Sequence, residues 1–202
     1  MDTARAIKQL RELRRRARPM RLAADGWRYP WQTLIAVLLS ARTRDEVTIT
    51  VGEKLFSRYS TLGELAKATP SQIATILRPV NFFRNKARFV QGCANALQNR
   101  FGGRLPHTLT DLISLPGVGR KTANVFLSER GEQTIGVDTH VAYIAQSLLW
   151  SLHRNPLKIE KDLERLFPRR LWRSINATCV HFGKTYTKRR EKDRILSLLR
   201  EL

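Results

Sequence analysis

Apolar residues recur along most of the chain at the three- and four-residue spacing of an α-helix. Residues 3–17 place Ile7, Leu10 and Leu13 among many arginines, which predicts a basic amphipathic helix. The stretch 31–41 reads WQTLIAVLLSA, is apolar nearly all round, and predicts a buried central helix. Alternation of the kind that strands show never extends beyond a few residues. We therefore predict an all-α fold.

Caps and glycines bound the other predicted helices. Asp45 is suited to cap the helix that follows it, and Thr69-Pro70 is a favourable cap and first-position pair. Gly102-Gly103 is a usual helix stop. The remaining helices are predicted over 46–58, 61–67, 70–77, 85–101, 108–115, 120–127, 138–150, 158–167, 169–186 and 188–202. The last of them carries an apolar face formed by Ile195, Leu196, Leu198, Leu199 and Leu202.

Charge narrows the class of partner. The 202 residues carry a formal net charge of +20, which attracts polyanions; nucleic acid is the leading partner and an acidic membrane surface the weaker one. No apolar run is long enough to cross a membrane, and the charged beginning lacks a signal-peptide core. We therefore expect an intracellular protein that does not associate with membranes. The net charge does not show whether the nucleic acid is DNA or RNA.

Cysteines are scarce. Cys93 and Cys179 are the only two, and each lies among apolar or small neighbours, so two buried thiols are expected. Neither belongs to a CxxC pair, and no zinc site is predicted.

The stretch LPGVGRKTANVFL, residues 115–127, carries the candidate chemistry. Gly117 and Gly119 permit a tight turn between two short helices, and their amides with those opening the second helix are suited to hold a phosphate. Val118 between them is expected to pack inward. Lys121 falls in the first turn of the second helix, where the partial positive charge of the helix end disfavours an ammonium.

LPGVGRKTANVFL followed by VDTHV resembles the endonuclease III family of DNA glycosylases, which combine a helix-hairpin-helix with a downstream aspartate. PWQTLIAVLLSARTRDE (30–46) and LRPVNFFRNKARFV (77–90) are similar to other parts of that family, so the resemblance covers nearly the whole chain. It implies a monomeric base excision repair enzyme of the cytoplasm or nucleoid. The implied activity is a bifunctional glycosylase and abasic-site lyase on double-stranded DNA that holds oxidised pyrimidines or abasic sites.

The resemblance also implies roles for particular residues. Lys121 would attack the deoxyribose as a neutral amine and form a Schiff base, and Asp138 would assist its deprotonation and stabilise positive charge on the sugar. Asp138 also stands at a helix start and is suited to cap it. The implied DNA-binding residues are Arg42, Arg44, Asn81, Phe82, Arg84, Gly117, Val118, Gly119, Arg120 and Thr122.

Two loops resemble the family's wedges, which fill the hole left by an extruded base. In one, Arg42 stands where relatives often have Gln, and it is suited either to the orphaned base or to a phosphate. In the other, VNFF (80–83), Asn81 replaces the usual Gly and is expected to tolerate the left-handed turn. Phe82 and Phe83 are as consistent with the core as with intercalation.

The architecture implied is two helical lobes with a DNA-binding cleft. One lobe is a helical barrel over 22–132 that includes the hairpin (108–127), and the other joins 1–21 to 133–202. Most relatives hold a [4Fe–4S] cluster with four cysteines near the end of the chain, but no cysteine follows Cys179 here. We expect no iron–sulfur cluster, no required cofactor and no catalytic metal; a monovalent cation on the hairpin carbonyls is compatible with the family pattern.

Two alternatives stay open at this point. One is a monofunctional glycosylase that removes uracil or mismatched thymine without cutting the strand, against which Lys121 argues. The other is a non-catalytic helix-hairpin-helix protein that only binds DNA, against which the presence of both Lys121 and Asp138 argues.

Overall fold

The computed structural model describes residues 2–202, and this part of the chain is helical with no β-strand. The predicted all-α class is confirmed. Twelve α-helices are present over the described residues: α1 (Thr3–Arg16), α2 (Pro30–Ser40), α3 (Asp45–Arg58), α4 (Leu62–Lys67), α5 (Pro70–Leu77), α6 (Phe83–Arg100), α7 (Leu109–Ile113), α8 (Arg120–Glu129), α9 (Thr139–Ser147), α10 (Pro156–Leu166), α11 (Trp172–Thr185) and α12 (Arg189–Arg200). A 3₁₀ turn (Arg169–Leu171) precedes α11. None of the described helices combines the length and the apolar character that crossing a membrane requires.

The chain divides into two compact units. The continuous unit comprises residues 21–130, and the split unit comprises, among the described residues, 2–20 and 131–202. Each unit has its own hydrophobic core.

In the continuous unit α2 is the central element. Leu34, Ile35 and Leu39 are fully buried, because the apolar run of α2 leaves no polar face to present to solvent. Side chains of α3 and α6 pack against it, among them Leu55 and Val90. Two capping boxes fix the short helices α4 and α5, since Thr61 and Thr69 each accept from the amide three residues on. The unit is thus built around one buried helix.

In the split unit the first and last helices are joined through a buried glutamine. Gln9 on α1 donates to the Leu199 carbonyl at 2.9 Å and accepts from the Trp150 indole nitrogen at 2.7 Å. On α12, Leu196 and Leu199 are buried, whereas Leu198 is 53% and Leu202 is 42% exposed. The apolar face predicted for the tail is therefore narrower than expected.

Most helix boundaries differ from the prediction by one to three residues, and two of the differences have a clear physical reason. Helix α3 begins at Asp45 itself, and its N-cap is Arg44, so the predicted Asp45 cap is wrong; Asp45 instead contributes negative charge to the first turn. Helix α9 ends at Ser147 rather than near 150. Leu149 turns left-handed, and the Trp150 amide donates back to the Ala145 carbonyl at 2.8 Å, which closes the helix.

Candidate functional site

The hairpin between α7 and α8 is a tight turn with an apolar base. Thr108 caps α7 by accepting from the Asp111 amide at 3.1 Å. Leu115 and Val118 are buried at the base of the turn, and the Val118 amide donates to the Leu115 carbonyl at 3.1 Å. Val118 packs inward as predicted, and its amide is used within the turn.

The two glycines of the turn have different reasons to be there. Gly117 has φ +75°, and a Cβ added to it would lie 2.5 Å from Phe89 Cβ and 3.1 Å from Leu38 Cδ1. Gly119 has φ −89°, and no atom of residues 2–202 lies within 4 Å of an added Cβ. Gly117 is therefore required by the fold of the hairpin, whereas Gly119 leaves open space in front of the first turn of α8.

The amides of Gly117 and Gly119 have no acceptor among the described residues, 2–202. Gly119 is the N-cap of α8 and accepts from the Ala123 amide at 2.9 Å through its carbonyl. Unused amides at a helix start, with the helix dipole behind them, form an arrangement that binds phosphate oxygens.

Lys121 is the second residue of α8 and is half-buried. Arg120, the first residue, is also half-buried, and the Thr122 side chain is buried in the continuous unit. Of the residues predicted over Gly117–Thr122, the two glycines, Arg120 and Lys121 form a surface at the start of α8. The side chains of Val118 and Thr122 are buried and do not belong to it.

Asp138 belongs to the split unit and is the N-cap of α9. Its carboxylate accepts from the Val141 amide at 2.9 Å, which confirms the predicted cap. The segment before it is held by Asn176, whose side chain donates to the Gly136 carbonyl at 2.7 Å. Burial and the charge of Asp138 raise the pKa of the Cys179 thiol well above its ordinary value, so this cysteine is a neutral core residue.

His140 follows Asp138 and packs against the backbone of α11. A Cβ added to Gly183 would overlap the His140 ring, so only glycine allows this approach. His140 also lines a cavity of about 280 Å³ together with Thr139, Arg189 and Lys192. The ring lies in a basic recess beside the Asp138 cap.

The two predicted wedge loops meet in the continuous unit. The Arg42 guanidinium lies over the Phe82 ring, 5.1 Å from its centroid, and the Asn81 side chain donates to the Arg42 carbonyl. The Phe82 side chain is 56% exposed, whereas Phe83 is half-buried against the core. Phe83 therefore has the core position, and an intercalating role for Phe82 stays a prediction.

The left-handed residue of the second loop is Phe82 and not Asn81. Phe82 has φ 60° and is the N-cap of α6, and Arg42 has φ 56°, whereas Asn81 lies outside the positive-φ region. The expectation for Asn81 was wrong, because its side chain is engaged with the Arg42 carbonyl and its amide with the Thr43 hydroxyl at 3.3 Å. A bulky residue held left-handed costs about 1–3 kcal/mol and persists only where the surroundings impose it.

Sequence reasoning missed Lys86 on α6, which is only 6% exposed. Its ammonium donates to the Leu39 carbonyl at 2.7 Å, the Ala41 carbonyl at 2.6 Å and the Thr43 hydroxyl at 3.0 Å. Burial lowers the pKa of Lys86 to about 8. A signal was available, since Lys86 shares the apolar stripe of α6 with Phe83, Ala87 and Val90.

A second feature missed from the sequence is an arginine-lined groove between α5 and α6. The groove has a volume of about 600 Å³, and Arg78, Arg84 and Arg88 line it with Phe83. No acidic side chain is among its lining residues within the described part of the chain. Arg84 of the predicted DNA-binding set lies here, and Arg44 lies exposed at the start of α3.

The donor set does not fit an iron–sulfur cluster. The chain has two cysteines, Cys93 in the continuous unit and Cys179 in the split unit, and both are buried. Such a cluster takes four ligands. Within residues 2–202 no group of three or more His, Cys, Asp or Glu side chains is placed to hold a metal ion.

Three comparisons with known proteins bear on this arrangement. Residues 35–169, which include the hairpin and Asp138, match the family model described as the HhH-GPD superfamily of base excision DNA repair proteins. The chain is 41% identical to endonuclease III of Thermotoga maritima over 79% of this chain and 75% of that one, and 36% identical to endonuclease III of Synechocystis over 77% and 72%. Its fold matches a trapped covalent intermediate of endonuclease III with DNA, the estranged-adenine complex, with a TM-score of 0.84 and 30% identity over 93% of this chain and 89% of that one.

Proposed function

We propose that this chain, which belongs to the endonuclease III family within the HhH-GPD superfamily of base excision DNA repair proteins, uses Lys121 to remove damaged bases from duplex DNA. Membership makes it a DNA glycosylase with the abasic-site lyase activity typical of the family, and double-stranded DNA its partner. Since its substrate is the cell's DNA, the proposed place of action is inside the cell, at the nucleoid. The substrate class we propose is oxidised pyrimidines, together with abasic sites.

One observation carries the assignment of Lys121. The lysine lies half-buried in the first turn of α8, directly after a glycine turn whose amides are available to hold a phosphate. A sugar whose phosphate rests on those amides is close to the amine, so binding and reaction are coupled. The likeness to a trapped covalent complex of endonuclease III with DNA supports a covalent route.

The proposed reaction begins with the neutral Lys121 amine. Its lone pair attacks C1′ of the deoxyribose, the glycosidic bond breaks, and the base leaves with the bonding electrons and takes up a proton. The sugar ring then opens as the C1′–O4′ bond breaks, O4′ takes a proton, and nitrogen loses one, which leaves an iminium between Lys121 and C1′. Loss of the C2′ proton expels the 3′ phosphate by β-elimination, and water finally hydrolyses the imine and frees the lysine.

Asp138 has two proposed contributions to these steps. Its carboxylate accepts the proton that Lys121 must lose before attack, and its charge stabilises the cationic sugar as the base departs. The cap to the Val141 amide holds the carboxylate in one orientation while leaving lone pairs for this work.

DNA is held by basic surfaces in each unit under this proposal. In the continuous unit the proposed DNA contacts are Arg42, Arg44, Arg84 and Arg120. The arginine-lined groove is proposed to bind phosphates of the DNA backbone. In the split unit the recess that contains Arg189 and Lys192 offers a phosphate site. The net charge of +20 predicts that affinity falls steeply with salt.

Borohydride trapping tests the proposal. A duplex holding thymine glycol and the same duplex holding an abasic site are each incubated with wild type, Lys121→Ala, and Lys54→Ala, which removes an exposed lysine of α3 as a matched control. We expect a covalent adduct on both duplexes with wild type and the control, and none with Lys121→Ala. Base release without an adduct would favour the monofunctional glycosylase, and DNA binding without either product would favour the non-catalytic protein.

A further inference from the structure

Lys86 holds together the two loops that present Arg42 and Phe82. Its amide donates to the Phe82 carbonyl at 3.0 Å and closes the first turn of α6, while its ammonium reaches the segment 39–43 with three hydrogen bonds. Thr43 is shared, because its hydroxyl accepts both from the Lys86 ammonium and from the Asn81 amide. One side chain therefore connects the end of α2, the loop after it and the start of α6.

The electrostatics explain why a lysine is tolerated in this buried place. Helix α2 has no basic residue in its own last turn, so the carbonyls at its C-terminal end carry uncompensated negative charge. The Lys86 ammonium lies on those carbonyls, and each of its three protons has an acceptor. A buried charge with every donor satisfied is retained, whereas the same carbonyls without the ammonium would be left short of donors.

The backbone geometry of the two loops that Lys86 connects is unusual. Arg42 and Phe82 both have left-handed backbones, and their side chains stack on each other. Neither conformation is favoured by the residue itself. The hydrogen bonds of Lys86, Thr43 and Asn81 connect the two loops that carry these backbones.

We propose that Lys86 is a positioning residue that fixes Arg42 and Phe82 as one stacked wedge, which enters the duplex as a unit when the damaged base is extruded. The proposal rests on the proposed function, since a wedge is needed only by an enzyme that takes a base out of the stack. Lys86 does not touch DNA in this account. It acts through the two residues that do.

A double-mutant cycle tests this. Single-turnover excision of thymine glycol from a duplex is measured at saturating enzyme for wild type, Lys86→Met, Phe82→Ala and the double variant, with Lys54→Met as the control. Because small misplacements of positioned groups cost up to about 10²-fold in rate, we expect Lys86→Met to lower the rate constant about 10- to 100-fold in wild type. In the Phe82→Ala background it should have little further effect, since the wedge is already lost.

A second readout reports the wedge directly. With 2-aminopurine opposite an abasic site, wild type is expected to change the fluorescence of that base as the wedge displaces or stacks on it. Lys86→Met should lose this change while still binding the duplex. Thr43→Val, which removes the shared acceptor, should behave in the same direction and serves if Lys86→Met fails to fold, as judged by its thermal unfolding.

The outcomes separate the two proposals. Equal rate losses from Lys86→Met in both backgrounds, or no loss in wild type, would overturn the positioning role. A wild-type protein that excises nothing and gives no trapped adduct would overturn the proposed function instead.

Discussion

Substituting each of the two hairpin glycines by alanine should affect different properties: one substitution should lower stability, and the other should weaken DNA binding. Gly117 and Gly119 are two residues apart in the same turn, and Ala at either position adds one methyl group. At Gly117 the methyl meets Phe89 Cβ at 2.5 Å and Phe89 Cγ at 2.7 Å, on a backbone of φ +75°. At Gly119 it meets no atom of the described residues within 4 Å.

The cost at Gly117 has two parts. An L-residue in the left-handed region costs about 1–2 kcal/mol, and forcing an extra methyl into packed side chains costs about 1–3 kcal/mol. Although Phe89 is partly exposed, the clash involves its Cβ, which cannot swing away without moving the backbone of α6. We expect Gly117→Ala to lower the free energy of unfolding by about 2–5 kcal/mol, and the melting temperature by on the order of 10 °C.

Gly119→Ala should leave the fold nearly unchanged. Alanine is a poorer N-cap than glycine, but it also restricts the unfolded chain, so the net change is expected within about 1 kcal/mol. Its methyl group occupies the space in front of the first turn of α8, where a phosphate would approach. Loss of one charge-assisted hydrogen bond corresponds to about tenfold or more in affinity for duplex DNA.

Urea unfolding and duplex binding at one fixed salt concentration measure the two effects. Gly117→Ala should be destabilised, and Gly119→Ala should be stable but bind weakly. Equal destabilisation by the two substitutions would refute the steric reasoning. A stable Gly119→Ala that binds DNA like wild type would remove the hairpin amides from the proposed interface.

Four further predictions use other parts of the chain. Asp138→Asn keeps an acceptor for the Val141 amide, so we expect unchanged stability but excision slowed about 10²- to 10³-fold; an unchanged rate would show that the carboxylate's charge is not used. In urea unfolding, Gly183→Ala should lower the free energy of unfolding by about 1–3 kcal/mol, because the added methyl overlaps the His140 ring. Gly63→Ala is the control and should not destabilise the fold, since no described atom lies near its added Cβ. If neither substitution changed the free energy of unfolding, the overlap with His140 would be refuted. The pKa of Lys86 is lowered to about 8 from an ordinary value of 10.5, so the unfolded chain binds more protons than the folded chain between these two pH values. The free energy of unfolding of wild type, measured relative to that of Lys86→Met, should therefore rise from pH 8 to 10.5 and be constant below pH 8. A difference that does not change over that range would refute the pKa shift. Iron analysis and visible absorbance of the purified protein should find no cluster, and stoichiometric iron would contradict this.

Much of the fold follows from local patterns. The helix α5 begins at Pro70 behind a Thr69 cap and ends at Leu77, as the sequence predicted, because caps and helical periodicity act over only a few residues. The Asp138 cap and the inward packing of Val118 were predictable for the same reason. Some helix ends depend only on backbone hydrogen bonds, such as the left-handed turn after α9, and these ends were not predictable from the sequence.

The sequence by itself determined the helical class, the glycine turn before Lys121, the basic character and the family. Only the tertiary structure decided that Phe82 rather than Asn81 takes the left-handed backbone, and that Lys86 is a buried link. Those outcomes depend on hydrogen bonds between residues about 40 positions apart, such as Asn81 to Arg42 and Lys86 to Ala41. No local pattern encodes such pairings, because they arise only when packing of the helices brings the two loops together and leaves their buried polar groups to be satisfied.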